Sequence, residues 1–245
     1  MISSVQNPTI KALLKLKQKK YRQEERAFLV EGEHLVSEAL RFGRVKSILY
    51  TARYHGKIDL KESLEVSEHV LEKLAFSKNP QPIMAVCQMH QPELDLHQAK
   101  RLLLLDNVQD PGNVGTMIRT ALAFDFDGLI LSADSVDLYN DKLVRSTQGA
   151  LFSLPIIQGD LAKWMECLKQ ASFQIYATAL HEAKPLAAFP AEAKMAFVMG
   201  NEGNGVSQEI QKSCDGAIYI PIVTAESLNV AIAAGIIMHH YSELK

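Results

Sequence analysis

Apolar positions along the chain follow two rhythms, and their alternation predicts the elements. Asn7-Pro8 reads as a helix cap with proline in the first turn, after which Ile10, Leu13 and Leu14 form a helical stripe with lysines opposite. A short strand around Phe28 to Val30, a helix from Gly32 to Phe42, a strand from Val45 to Tyr50, a helix from Ser67 to Ala75 and a strand from Ile83 to Gln88 follow. This is the pattern of a small α/β domain. The polar, proline-containing stretch His90-Gln91-Pro92-Glu93-Leu94-Asp95 reads as a linker, so a domain boundary is expected near residue 93, with domains 1–93 and 94–245.

Beyond it, strands are expected at Arg101 to Asp106, Gly128 to Ser132, Leu154 to Ile157, Phe173 to Ala179, Met195 to Gly200 and Ala217 to Ile222. Helices are expected at Asn113 to Phe124, Asp141 to Phe152, Asp160 to Ala171 and Ser227 to Leu244. Such alternation predicts a mostly parallel sheet covered on both faces. No internal repeat or low-complexity tract interrupts it.

Composition narrows the class without changing this picture. With 245 residues, 47% hydrophobic and 22% charged, the chain has the make-up of a soluble globular protein. Lys11, Lys15, Lys17, Lys19 and Lys20 occupy the region where a signal peptide needs an apolar run. The longest apolar stretch, Val230 to Met238, is short of the ~18 residues of a membrane span. Three widely spaced cysteines, Cys87, Cys167 and Cys214, suggest neither a disulfide framework nor a zinc site, and a cytoplasmic protein is expected.

Charge does change the picture. Residues 1–57 hold 12 Lys and Arg against 5 Glu, a net +7, whereas residues 58–245 hold 14 against 23, a net −9. A basic first part on an acidic remainder points to a polyanionic partner such as RNA, the alternative being a solvated helix face.

Three segments carry candidate chemistry. In LLLLDNVQDPGNVGTMIRTALAF a buried strand leads through an Asx, Pro and Gly loop into a helix, where backbone amides become available to an anion. Val114, Met117, Ile118, Ala121 and Leu122 are expected to face the core, leaving Asn113, Thr116, Arg119 and Thr120 on the other side, with Asn113 as a candidate cap and Arg119 a candidate phosphate ligand. Without a lysine after the second glycine this is not a Walker loop.

The second segment, AFVMGNEGNGVSQEI, ends a strand in a glycine run, at the end of the sheet where α/β proteins bind ligands. Glu202 within it suits a ribose hydroxyl or a cationic group. In the third, IYIPIVTAESLNVAIAAGIIMHH, Ser227 is a candidate cap, the helix is expected to be buried on more than one side, and Asn229 is read as a buried amide needing partners.

Together, DNVQDPGNVGTMIRTA, VMGNEGNGV and IPIVTAESLNVAIAAGI resemble, in order, the three motifs of the SpoU (TrmH) family of S-adenosylmethionine-dependent RNA ribose 2'-O-methyltransferases, part of the SPOUT superfamily. The GEHLVSEAL region resembles the substrate-binding domain often attached to it. The resemblance implies a C-terminal parallel-sheet SPOUT domain with a deep trefoil knot, preceded by a small RNA-binding α/β domain, and an obligate homodimer. Pattern alone gives an unknotted doubly wound sheet.

The same resemblance implies S-adenosylmethionine as cofactor, no metal, and rRNA rather than tRNA as substrate. Asn113, Arg119, Glu202, Ser227 and Asn229 match its functional positions. Cofactor contacts are implied for Thr178, Ala179, Leu180, Met199, Gly200, Asn201, Gly203, Ile220, Ile222 and Leu228. His239-His240 read as partly exposed or interface residues, His34 and Glu38 as a solvated pair, and Trp164 as core packing. The competing readings are a tRNA 2'-O-methyltransferase, a noncatalytic RNA-binding module, and a dinucleotide oxidoreductase, the last lacking G-x-G-x-x-G after its first strand.

Overall fold

The structure is a computed structural model and describes residues 1–61, 63–90, 93–180 and 182–242. The expected linker residues Gln91 and Pro92, and Leu244 at the expected end of the last helix, lie outside the described residues. The chain divides into two compact units, one of Met1–His90 with Asp137–Ser153 and one of Gln91–Val136 with Leu154–Lys245.

In the first unit, α1 (Pro8–Lys15) starts where Asn7 accepts a hydrogen bond from the Thr9 N–H, as the Asn-Pro pair requires. Then come α2 (Lys19–Glu25), β1 (Ala27–Glu31), α3 (Glu33–Arg41), β2 (Val45–Tyr50), β3 (Leu64–Glu65), α4 (Glu68–Leu74) and β4 (Ile83–Gln88). The sheet order is β1-β4-β2-β3, with β4 antiparallel to both β1 and β2. All of β1 is buried because alternate side chains enter two cores: Leu29 joins Ile10, Leu71 and Val86, whereas Phe28 and Val30 join Val36, Ala85 and Cys87.

The second of these cores is completed from far along the chain. The expected helix from Asp141 to Phe152 is instead α6 (Asp141–Ser146) followed by a 3₁₀ turn over Ala150–Phe152. Gln148 at φ +49° and Gly149 at φ +92° separate the two, the second in a conformation glycine adopts without strain. Val144 and Phe152 enter the core beside Phe28, and Arg22, itself buried, pairs with Asp137.

The second unit holds β5 (Arg101–Leu105), α5 (Pro111–Ala123), β6 (Gly128–Ser132), β7 (Ile156–Gly159), α7 (Leu161–Gln170), β8 (Gln174–Thr178), β9 (Lys184–Pro185), β10 (Met195–Met199), α8 (Gln208–Lys212), β11 (Gly216–Tyr219) and α9 (Val230–Ser242). Its seven-stranded sheet runs β7-β6-β5-β10-β8-β11-β9, and each neighbouring pair is parallel. One face, with Leu102, Leu104, Ile130, Ile175 and Val198, packs on Leu161, Met165 and Leu168 of α7, with Trp164 partly buried against the same core. On the other, Tyr241 of α9 stacks on Phe197 with centroids 4.6 Å apart.

Two apolar faces differ from expectation. Leu122 does not face the core but is 44% exposed, and α9, expected to be buried on more than one side, is buried along one stripe of Ala231, Ala234, Ile237, Met238 and Tyr241, with Ile232 55% and Ile236 38% exposed. Leu122 lies four residues beyond buried Ile118 in a 13-residue helix, and 3.6-residue periodicity drifts it to the rim of the stripe. Helical period alone does not separate core from an apolar surface.

Candidate functional site

Because all strands of the second sheet run the same way, the loops after β5, β8, β10 and β11 emerge at one end. The loops after β5 and β10 are laced together. The Asp106 carboxylate, buried at the end of β5, accepts from the Ser207 N–H at 2.7 Å, and the Asn201 side-chain amide donates to the Asn107 carbonyl at 2.8 Å. Asn107 sits at φ +54°, which asparagine tolerates better than most residues.

The glycine run after β10 folds back on itself. Asn201 and Gly205 exchange two backbone hydrogen bonds at 3.0 and 2.9 Å, and Asn201 Oδ1 accepts from the N–H groups of Gly203 and Asn204. A Cβ on Gly200 would lie 2.0 Å from the Gly205 carbonyl carbon and 2.1 Å from the Val206 nitrogen, so only glycine permits this crossing.

Helix α5 is capped differently from the sequence reading. Asp110, not Asn113, is the cap: its Oδ1 accepts from the Asn113 N–H at 2.8 Å, and Pro111 fills the first helical position, where a missing N–H costs nothing. The Asn113 side chain is thereby released from capping. Its Nδ2 donates to Glu202 Oε1 at 3.0 Å and its Oδ1 accepts from Asn229 Nδ2 at 3.0 Å.

Glu202 also accepts from the N–H groups of Gln109 at 3.3 Å and Asp110 at 3.2 Å, so its carboxylate sits over the donors that open α5. Its partners within the protein are therefore backbone amides and Asn113. Desolvation raises its pKa, and the hydrogen bonds from Asn113 and from the backbone N–H groups of Glu202, Asp110 and Gln109 outweigh that, holding it below the ordinary 4.5.

Asn229 is exposed rather than buried, and it takes the capping role expected of Ser227. Its Oδ1 accepts from the N–H groups of Ala231 at 2.9 Å and Ile232 at 3.3 Å at the start of α9. A Ser227 cap would need the helix to start at Leu228, two residues earlier than it does. The three sequence motifs are thus joined in one polarised row: an acceptor-only carboxylate fixes which way the Asn113 amide points, and that orientation fixes Asn229.

Beside this row is a cavity of about 700 Å³. All the residues implied as cofactor contacts line it: Thr178, Ala179, Leu180, Met199, Gly200, Asn201, Gly203, Ile220, Ile222 and Leu228. Glu202, Ser227 and Asn229 are at its wall as well, and Asn113 reaches it through its bonds to two of them. Arg119 is not in the lining. It stands exposed on α5 beyond Asn113 and Thr116, with no hydrogen bond or ion pair to its guanidinium among the described residues.

Sequence reasoning missed Asp106, Asn107 and Asp110, which build the loop. The signal was present in the run of Asx residues that ends an apolar strand. Outside the site, His34 Nε2 lies 3.0 Å from the Gln148 carbonyl oxygen, so its polar contact is not with Glu38, and the His239 ring meets Phe124 edge-on. Among the described residues no group of three His, Cys, Asp or Glu is arranged to hold a metal ion, and no helix is long and apolar enough to cross a membrane.

Comparison with known proteins agrees with this geometry. The sequence profile of the SpoU rRNA methylase family matches residues 100–239, and that of the MRM3-like substrate binding domain matches residues 7–85. The chain is 40% identical over 244 residues, 98% of each chain, to the 23S rRNA (guanosine(2553)-2'-O)-methyltransferase RlmP of Bacillus subtilis (strain 168). It is 31% identical to the 23S rRNA (uridine(2479)-2'-O)-methyltransferase of Streptomyces viridochromogenes, over 93% of this chain and 86% of that one. The crystal structure of an AdoMet-bound rRNA methyltransferase from Sinorhizobium meliloti superimposes with a TM-score of 0.88 at 31% identity, covering 99% of this chain and 97% of the other. With its three motifs bonded into one site and its family profile spanning the whole parallel sheet, the chain belongs to the SpoU rRNA methylase family.

Proposed function

We propose that this chain transfers a methyl group from S-adenosylmethionine to a ribose 2'-hydroxyl of 23S ribosomal RNA. The observation that carries the reading is the Glu202–Asn113–Asn229 row beside the cavity, since it ties three separate motifs to one ligand-sized space. The Bacillus subtilis and Streptomyces viridochromogenes relatives, each named as a 23S rRNA 2'-O-methyltransferase, support the substrate class over tRNA.

The lining fits the cofactor. Apolar Leu180, Met199, Ile220, Ile222 and Leu228 beside the amides and carbonyls of a glycine-rich loop suit a molecule that is part purine and part zwitterion. When bound, S-adenosylmethionine supplies a methyl group on cationic sulfur, so that the ribose oxygen–carbon bond forms as the carbon–sulfur bond breaks and one proton is released.

The protein's part is positioning and electrostatics. Arg119, always protonated, is a poor proton acceptor. It binds the phosphate next to the target ribose and stabilises the oxygen as its proton departs to phosphate or water. Glu202, Asn113 and Asn229 hold the loops, and Ser227, exposed at the cavity wall, orients the ribose.

The active assembly in this proposal is a homodimer. Exposed Leu122, Ile232 and Ile236 on α5 and α9 are the apolar residues that a second copy would cover, and Ile232→Glu with Ile236→Glu should convert the dimer to monomer in sedimentation velocity. A deep trefoil knot near the C-terminus and a cytoplasmic location belong to the same proposal, supported by family membership and by three free cysteines.

The test is transfer of labelled methyl from S-adenosylmethionine to unmodified rRNA and, separately, to tRNA, followed by digestion to nucleosides. Label on ribose in the rRNA pool supports the reading. Label on bases, or only in tRNA, contradicts it.

A further inference from the structure

Five lysines lie between residues 11 and 20, and they differ in what they do. Lys17 is committed to the fold: its ammonium donates to the carbonyls of Lys73 and Ala75 at 2.7 Å each, closing the C-terminal end of α4, and lies 5.3 Å from the Phe76 ring centroid. Lys11, Lys15, Lys19 and Lys20 are all exposed.

Tyr21 sits among them. The Lys15 ammonium lies 5.4 Å and the Lys20 ammonium 5.7 Å from the centroid of its half-buried ring. Among the described residues the acidic partner of these lysines is Glu24, 3.9 Å from Lys20 and itself exposed. A buried aromatic ring here would belong to the core, but Tyr21 is on the surface with cations over it, joined to neither hydrophobic cluster of its unit.

We infer that Tyr21, flanked by Lys15 and Lys20, is a stacking platform for an unpaired RNA base, with the two ammonium groups binding the adjoining phosphates. The inference rests on the RNA reading above and adds the form of RNA that this surface takes. Exposed cation–π contacts are weak, and base stacking together with phosphate pairing is the stronger combination, so an incoming nucleotide displaces the lysines from the ring onto its own backbone. Duplex RNA offers no free base face, and so the platform selects a single strand, loop or bulge.

The experiment uses the full chain and two labelled probes, a 12-nucleotide oligouridylate and a 12-base-pair RNA duplex, with unmodified 23S rRNA as reference. Tyr21→Leu should weaken oligouridylate binding about ten-fold and duplex binding by less than two-fold, and Tyr21→Phe should bind as the parent does. Lys15→Gln and Lys20→Gln, at exposed positions that keep the fold, should each reduce the slope of log affinity against log salt by about 0.7 on the single strand, and they decide the matter if Tyr21→Leu does not fold. Unchanged single-strand binding in Tyr21→Leu, or equal losses on duplex and single strand, would overturn the platform. Failure of the parent protein to bind 23S rRNA would instead overturn the RNA reading itself.

Discussion

The Asn113 side chain donates to Glu202 and accepts from Asn229 at the same distance, 3.0 Å, so one amide couples the loop after β10 to the start of α9. Reversing its polarity is therefore worse than removing it. Asn113→Asp would set a second carboxylate against Glu202 and remove one of the two donors to Glu202 Oε1, leaving the Asp110 N–H, a loss of about 1–3 kcal/mol. Asn229→Asp keeps the cap on α9 but replaces the bond to Asn113 with a carboxylate oxygen facing the neutral Asn113 Oδ1, a milder conflict than two facing carboxylates. Thermal unfolding with S-adenosylmethionine titration should rank Asn113→Asp below Asn113→Ala, and Asn229→Asp nearest the parent.

Acid should open the site through Glu202. Its pKa in the folded protein is depressed, so the stability it contributes is complete above the ordinary 4.5 and is lost as pH falls through the lower native value. Cofactor affinity in the parent protein should hold down to that range and then fall. Glu202→Gln should bind more weakly at pH 7 and lack this acid step, and calorimetric titration across pH 3 to 8 checks both.

Arg119→Lys separates the guanidinium from simple positive charge. Lysine keeps the charge but not the planar fork that matches phosphate, and turnover should fall about 10²-fold while cofactor affinity is unchanged. Single-turnover kinetics beside equilibrium binding measure the two. Near-normal turnover would remove the guanidinium from the mechanism.

The first unit needs Asp137–Ser153, which lies inside the family profile of the second. Phe152 packs in the core with its ring 6.2 Å from that of Phe28, and Phe152→Ala should cost about 3–5 kcal/mol. Deleting residues 1–93 should expose Val144 and Phe152, seen as binding of a hydrophobic dye and as loss of hydrogen-exchange protection over residues 137–153. Loss of RNA binding in that truncation therefore reports two effects at once.

Much of this was legible in the sequence. Alternation located nearly every strand, because parallel strands buried on both faces read as uninterrupted apolar runs such as Leu102 to Leu105. The motif residues around the cavity were legible from the resemblance. Asn113 was misread as a cap because Asp110 and Asn113 both suit capping, and only Pro111 between them decides. The path of residues 137–153 into the first unit was not legible, since periodicity says that Phe152 is apolar and not which core receives it. Leu122 was assigned to the interior for the same reason.

Methyl transfer to O2' is best tested at the ribose itself. A 2'-O-methyl group blocks the attack of O2' on the neighbouring phosphate, so alkaline hydrolysis skips the bond that follows a methylated nucleotide. The purified chain should be incubated with S-adenosylmethionine and 23S rRNA from cells lacking it, and the hydrolysis ladder mapped. One newly resistant bond is expected, absent without cofactor and greatly reduced with Arg119→Lys. A methylated RNA with an unchanged ladder would place the methyl group elsewhere and contradict transfer to O2'.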